Sequence, residues 1–420
     1  MATAAVAAAE AALRQSLPSL AAKHVPVLGY VGASSADSDA AAADDFAQFV
    51  SGTATLAEHV AAFYHRRAPG ELSRTDPVKI AARYAGRAAE LYARLDRKFP
   101  TPPTLDDAIG GWRALPDTPN RDTLNGVGEP APSQPLASPF RVVTYNIWFS
   151  PKYRTMRFAA LMDILLPEAG AGPVSWPACV ALQEVCKETA ALVLAHPRVR
   201  SHYFVTDPSV ALSENWYGVV TLVARWLGPA ARYSAMYYSF GAALHADDGT
   251  GLPGRSQQGR GLLSVTTPDG CVFGNVHLES PTPGVLPSTR RDQLALACAA
   301  LEAERAELDD TNARHVGWCL AGDFNFCSPD EDVGILGAGG VDLWAVSRPG
   351  EPGNTFDTRR NANIVGPWVN RPDRVVVSTD GFEAPTNKEA SAIAMLGEDA
   401  IPGIGIQPSD HFGLLATLRC

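Results

Sequence analysis

Asp323 and Asn325, in "AGDFNFCSPD" (321–330), are residues whose types and spacing suggest chemistry. They end the apolar run "VGWCL". In an extended chain, residues two apart project to the same side, so both would enter one site. The pattern recurs. Asn146 interrupts "VVTYNIWF", and Glu184 ends "CVALQEV". His277, Glu279 and Ser280 end "FGNVHLES", Asp373 sits in "RPDRVVV", and Asp410 and His411 open "SDHFGLL". Each alone also reads as a cap, a turn or a satisfied core group. Together they read as a convergent polar site, because burying so many polar groups without pairing them is costly.

The chemistry that suits this set is metal-assisted cleavage of a phosphoester. A hard divalent cation such as Mg²⁺, with Mn²⁺ as the alternative, prefers carboxylate oxygen and keeps several waters, so one or two carboxylates suffice. Glu184 is the candidate ligand. Asp323 is the candidate base that orients and deprotonates the attacking water. Asn146, Asn325 and His277 would donate hydrogen bonds to phosphoryl oxygens. His411, held charged by a carboxylate partner, would stabilise the developing negative charge. Rival chemistries have thinner support. "RSQQGRG", with glycines on either side of Arg260, is not a GxxxxGK[ST] phosphate loop, and neither a GxSxG elbow nor an HExxH zinc motif occurs.

The elements that must position these residues are short β-rich runs. "FRVVTYNIWF", "ACVALQEV", "YGVVTLVARWL", "GLLSVTTPDGCVFGNVHLES", "VGWCLAGDFNF", "PDRVVVS" and "HFGLLATLR" read as strands, with a hairpin turn at "PDG" (268–270). "STRRDQLALACAALEAERAEL" reads as a helix with Ser288 as N-cap and Leu294, Cys298 and Leu301 on its apolar face. Strands mostly follow strands. That favours an α/β fold of two packed mixed β-sheets flanked by helices over a doubly wound parallel sheet.

Residues 1–137 have a different texture, rich in Ala, Asp, Ser and Pro. They read as a mostly helical region of unassigned role. It contains a low-complexity loop at 33–45 and a helix capped by Asp76 with Pro77 at its first position, its apolar face carrying Ile80, Tyr84, Ala88, Leu91 and Leu95. The Pro- and Gly-rich stretch 125–139 marks a domain boundary. From about residue 138 the texture changes, and residues 138–420 are expected to be the catalytic domain.

The 420 residues suggest two domains, and 46% hydrophobic with 19% charged residues is a globular composition. No run approaches the roughly 20 apolar residues of a membrane span. The Ala-rich N-terminus meets its first charge at Glu10, without the basic start of a secretory signal. The 7 cysteines, with no CxxC pair, suggest reduced thiols in the nucleus or cytoplasm and argue against structural zinc. The formal charge of −10 would repel nucleic acid, so such a partner needs a local basic patch. Arg290-Arg291, Arg359-Arg360 and Arg371 with Arg374 are the candidates, each otherwise a solvated surface pair.

Taken in order, "TYN", "LQEV", "HLES", "GDFN" and "SDH" resemble the endonuclease/exonuclease/phosphatase (DNase I-like) superfamily, over roughly 140–420. Within it the sequence is most similar to the tyrosyl-DNA phosphodiesterase 2 family, through "QGRGLL", "HLES" with "RRDQL", "NTFDTRRNANI" with "RPDRVVV", and the closing "PSDHFGLL". The resemblance implies a four-layer α/β/β/α sandwich. It implies that Glu184 binds Mg²⁺, with Asp410 near the metal. Asp323 would be the base, with Asn325 beside it, and Asn146, His277 and Ser280 would hold the phosphate. It pairs His411 with Asp373, and Arg260 and Arg290 are taken as substrate-binding with Ser280. Three stretches depart from the family. Trp148 stands where the family has an Asp close to the metal. Phe326-Cys327-Ser328 replaces a Leu-Arg-Asp run, and Pro281-Thr282-Pro283 lacks an Arg. The implied activity is hydrolysis of a 5′-phosphotyrosyl-DNA adduct in DNA repair, with a DNA 5′ end as substrate. The alternatives are a general nuclease or an RNA, lipid or inositol phosphate hydrolase of the same chemistry, and, as a third reading, a silent binding module. The oligomeric state is not legible.

Overall fold

The chain is seen in a computed structural model. It describes residues 21–31, 75–85, 104–115, 140–167, 176–228, 233–240, 258–310, 317–379, 392–401 and 405–419, single positions excepted, with a few positions between. The strands in chain order are β1 (Ala21–His24), β2 (Val27–Tyr30), β3 (Trp112–Ala114), β4 (Phe140–Asn146), β5 (Cys179–Cys186), β6 (Tyr203–Thr206) and β7 (Tyr217–Ala224). They continue with β8 (Ser234–Ser239), β9 (Gly261–Thr266), β10 (Cys271–His277), β11 (Gly317–Asp323) and β12 (Gly340–Asp342). The last are β13 (Phe356–Asp357), β14 (Val369–Asn370), β15 (Asp373–Ser378), β16 (Ile393–Leu396) and β17 (Gly413–Leu418). Every run read as a strand from the sequence is one.

Two mixed sheets result. A seven-stranded sheet runs β1-β8-β9-β10-β11-β15-β12, and an eight-stranded sheet runs β16-β17-β4-β5-β7-β6-β2-β3. Phe140, Val142, Cys179, Ala181 and Val223 of one sheet pack against Val265, Phe273, Cys319, Ala321 and Val375 of the other. Helices cover the outer faces. Arg154–Leu165 and Lys187–Ala195 lie on the second sheet, and Pro287–Asp310 lies on the first through Leu294, Ala297 and Leu301. The central strands are therefore buried on both faces, which is why "CVALQEV" and "GWCLAG" are continuous apolar runs rather than alternating ones. Burying one such Val, Leu or Phe is worth about 1.5–3 kcal/mol, so these strands are pinned in place.

Register brings the polar ends to one rim. β4 pairs parallel with β5, and β10 parallel with β11, so Asn146 lies level with Gln183 and His277 level with Asp323. β15 runs antiparallel to β11, so its first residue, Asp373, pairs with Asp323. β17 runs antiparallel to β4, and its N-terminal side carries Asp410 and His411 to the same rim.

One expectation is corrected, and one boundary is not reached. The boundary at 125–139 lies outside the described residues, and the described strands before it pair into both sheets. β1 pairs with β8 of one sheet, and β2 pairs with β6 of the other while carrying β3. β1 is thus an edge strand of the first sheet, and β2 and β3 are the last two strands of the second; strands this short carry no period for sequence reading to detect. The helix read as capped by Ser288 begins at Pro287, whose fixed φ suits a first helical position. The Asp76 cap is found as expected: its carboxylate accepts from the N–H groups of Val78 and Lys79 at 3.0 and 3.2 Å. The loop 33–45, Ala88 and Leu95 lie outside the described residues.

Candidate active site

The rim is built on local backbone strain. Glu184, Trp148 and Asn325 all have positive φ, at 59°, 57° and 54°. None is glycine, and such residues cluster where a site over-determines the backbone. Glu184 sits in a bulge of β5, where the pairing with β7 shifts between Leu182 and Val185. The bulge re-aims its side chain toward the loop after β4, and Oε2 accepts the Phe149 N–H at 3.1 Å. Trp148 donates its N–H to Asn146 Oδ1 at 3.0 Å.

Asp323 is the hub. Asn146 Nδ2 donates to its Oδ2 at 2.9 Å, and the Asn325 N–H donates to its Oδ1 at 2.8 Å. His277 Nε2 lies 3.4 Å from Oδ2, and His411 Nε2 lies 3.9 Å from the same oxygen. Gly322 makes the close approach possible. A Cβ there would stand 2.0 Å from the Val276 carbonyl oxygen, so only glycine fits before this aspartate. The expected same-side projection of Asp323 and Asn325 is corrected. The strand ends at Asp323, and Asn325 turns left-handed, donating its amide to the Leu278 carbonyl at 3.0 Å.

The two histidines are held in opposite states. Arg260 Nη1 lies 2.8 Å from His277 Nδ1 and can only donate. His277 Nδ1 is therefore the acceptor, and its proton sits on Nε2, facing Asp323. Burial, and then the charges of Arg260 and His411, push the His277 pKa well below its usual range, so the ring is neutral. His411 Nδ1 pairs with Asp373 Oδ2 at 2.9 Å. Burial opposes its charge, but Asp373 and then Asp323 outweigh it and hold its pKa well above the ordinary value. The Asp323 pKa is raised, by burial first, with His411 acting against the shift and Asp373 adding to it. A raised carboxyl pKa makes a stronger base.

Ser280 accepts a hydrogen bond from Arg260 Nη2 at 2.9 Å. Arg260 is 4% exposed, and Gln258 Oε1 takes two more of its N–H groups. It acts on the site through His277 and Ser280. Arg290 does not join the site. It is buried, with Nε 2.7 Å from Glu331 Oε1. Glu331 Oε2 in turn accepts the N–H groups of Cys327 and Ser328, so the pair braces the turn after "GDFN". A guanidinium on the inner face of an amphipathic helix looks like any other in sequence, and burial with a carboxylate decides its role. The other arginine clusters are also occupied: Arg371 and Arg374 by Asp342, Arg359 by Asp357, and Arg360 by Glu398.

The donor set suits a hard divalent cation. The Glu184 pKa is pushed up to about 7, by burial and then by the charge of Asp410, with Asp323 adding to it. The Asp410 pKa is raised as well, chiefly by burial. A cation between these carboxyls would relieve that repulsion. Asp323, Asp373 and His411 also bring ligand atoms within 4.8 Å of one another. Within this trio, His411 Nδ1 is engaged by Asp373 at 2.9 Å, while its Nε2 faces Asp323 at 3.9 Å. Trp148 offers no ligand atom, and its ring lies under the Arg157 guanidinium, 4.5 Å away.

Sequence reasoning missed several supports. Arg157 is buried and donates to the carbonyls of Ile147, Trp148, Ser150, Lys152 and Pro408, tying the loop after β4 to the one before His411. Ser409 Oγ donates to the Asn146 carbonyl at 2.6 Å. Beneath the rim, Gln183 Nε2 donates to Asn275 Oδ1 at 2.9 Å, across the two sheets. The signal available was a polar residue inside an otherwise apolar strand: Gln183 in "VALQEV" and Asn275 in "VFGNVH".

No family model matches the sequence, and no curated protein matches it. Among solved structures, D. rerio TDP2 complexed with single strand DNA product is 20% identical, covering 67% of this chain and 100% of that one, at a TM-score of 0.47. TDP2 from C. elegans is 18% identical, covering 88% and 95%, at 0.46. An endonuclease/exonuclease/phosphatase family protein from Leptotrichia buccalis is 14% identical, covering 67% and 100%, at 0.40. Among the described residues, no helix is long and apolar enough to cross a membrane.

Proposed function

We propose that the chain is a divalent-metal-dependent phosphodiesterase, and that its substrate is a 5′-phosphotyrosyl-DNA end. The observation that carries the hydrolase reading is the convergence of a neutral His277 and a charged His411 on one oxygen of Asp323. A water held by Asp323 loses its proton to that carboxylate as it attacks phosphorus, and the P–O bond to the tyrosyl oxygen breaks, the tyrosine leaving as its phenolate. His277, its tautomer set by Arg260, and Asn146 donate to the phosphoryl oxygens and fix the in-line geometry. His411, charged and steadied by Asp373, meets the negative charge that grows on those oxygens. Glu184 and Asp410 would hold Mg²⁺, which when bound neutralises phosphoryl charge and polarises the ester.

The tyrosyl-DNA substrate rests on the sequence stretches "HLES" with "RRDQL" and "NTFDTRR" with "RPDRV". Incubation with a 5′-phosphotyrosyl single-stranded oligonucleotide in Mg²⁺ or EDTA tests it. Mg²⁺-dependent release of a 5′-phosphate end, lost in Asp323→Asn, is the expected result. A second reading keeps the chemistry and changes the ester to RNA, a lipid or an inositol phosphate. It is favoured by the occupied arginine clusters and by Phe326-Cys327-Ser328, which offers no guanidinium beside the site. If wild type leaves the tyrosyl oligonucleotide intact and cleaves one of those esters in a substrate panel, the second reading replaces the first.

A further inference from the structure

Glu279, in "HLES", has no part in the proposed reaction, yet it is fully buried two residues from His277. Its Oε2 accepts the Ser256 hydroxyl at 2.7 Å and Gln293 Nε2 at 3.2 Å, and its own N–H donates to Gln293 Oε1 at 2.9 Å. Gln293, buried on the helix Pro287–Asp310, thus clamps Glu279 by backbone and side chain. The arrangement saturates Ser256. A hydroxyl has one proton to give and two lone pairs with which to accept. Its oxygen accepts the N–H groups of Arg260 at 2.8 Å and Gln258 at 3.2 Å, so its proton goes to Glu279.

Arg260 is the residue that meets His277, with Nη1 2.8 Å from Nδ1 of the ring. The rest of its guanidinium is met by Gln258 Oε1, by Ser280 Oγ and by the Tyr217 ring, whose centre is 5.2 Å away. All these partners are neutral. A guanidinium gains more from a carboxylate, and Asp323 lies just across the imidazole, 3.4 Å from His277 Nε2. The place of Arg260 against the ring therefore depends on the backbone that carries it. "HLES" grips Arg260 at three points. His277 Nδ1 and Ser280 Oγ take the guanidinium, and Glu279 takes the hydroxyl that holds the Arg260 N–H.

We propose that Glu279 is a positioning residue: through Ser256 it holds Arg260 against His277 Nδ1 and so keeps the imidazole proton on Nε2, facing Asp323. Its catalytic consequence rests on the hydrolase reading above; its effect on the ring does not. Long-range ¹H–¹⁵N correlation spectra of the metal-free, ¹⁵N-histidine-labelled protein read the tautomer directly, with His277 identified by the signal lost in His277→Gln. Ser256→Ala removes only a hydroxyl and leaves the clamp between Glu279 and Gln293. It should turn the single Nε2–H tautomer of His277 into a mixture. Glu279→Gln, a weaker acceptor of the same shape, should do so to a smaller extent. A single tautomer in both variants overturns the proposal, even where unfolding stability falls. Turnover of bis(4-nitrophenyl) phosphate in Mg²⁺ gives the second readout. Ser256→Ala should lower kcat about tenfold, the low end for a group that orients another through one hydrogen bond. In the Arg260→Met background the same change should cost nothing further, since the guanidinium it positions is gone. A second tenfold loss there would overturn the route through Arg260. If wild type cleaves no phosphoester, the hydrolase reading falls and the tautomer still decides the positioning role.

Discussion

His277 and His411 aim their Nε2 atoms at the same oxygen of Asp323, from 3.4 and 3.9 Å, yet their surroundings hold them in opposite protonation states. The difference lies on the far side of each ring. His277 has a guanidinium against Nδ1, and His411 has a carboxylate there. One ring is thereby a neutral donor of fixed tautomer and the other a cation.

A pH profile follows from this pairing. Asp323 must be ionised to act as base, and its pKa is raised, so kcat/KM should climb as pH rises through a value above the usual Asp range. His411 must be protonated, and its pKa is raised above 6.5, so the rate should fall only on the alkaline side of that value. The profile is a bell. Asp373→Asn removes the main cause of the His411 shift and should move the alkaline limb to lower pH. An unmoved limb would show that another group titrates there.

The far side of His277 gives a second prediction. Arg260→Met frees Nδ1 and Ser280, and the ring loses its fixed tautomer. A group that orients another through one hydrogen bond is commonly worth 10–100-fold, and a loss of about that size is expected in kcat. The ¹⁵N spectrum of His277 should change from a single Nε2–H tautomer to a mixture. If Arg260 contacted substrate directly instead, KM would rise and the tautomer would stay fixed.

Much of this rim was legible in the sequence because it is made of strand ends. A continuous apolar run that stops at Asn146, Glu184, His277 or Asp323 announces a buried strand with a polar tip, and parallel or antiparallel register brings such tips together. What was not legible depends on geometry after the strand. Asn325 leaves the strand in a left-handed turn that no period encodes. Arg157 works through five backbone carbonyls, which have no sequence identity at all. The strands β1, β2 and β3 near the sheet edges are too short to show alternation, and their pairing partners lie far away in sequence.

Metal binding should depend on protons at Glu184. Its carboxyl titrates at about 7 without a cation, because burial and Asp410 disfavour its charge. Cation and proton compete for the same oxygens, so affinity should be full above that pH and fall as pH drops below it, by up to about tenfold per unit for a single proton. Calorimetric titration with Mn²⁺ at pH 8 and pH 6 measures this. Glu184→Gln should bind weakly at both and lose the pH dependence. An affinity that is flat with pH in wild type would remove Glu184 from the ligand set.

Arg290 separates a structural arginine from a substrate-binding one. Both members of the Arg290–Glu331 pair are almost fully buried, and Glu331 also holds the Cys327 and Ser328 N–H groups. Removing one member leaves the other as an uncompensated charge, so Arg290→Met should cost about 3–5 kcal/mol in denaturant unfolding. Replacing both removes the stranded charge. The Arg290→Met, Glu331→Met double variant should therefore be more stable than Arg290→Met alone, even though it carries one more substitution. The backbone donors left by Glu331 would keep it below wild type. For either variant that remains folded, KM for a phosphoester substrate should stay near the wild-type value. A rise in KM at unchanged stability would instead put Arg290 on the substrate.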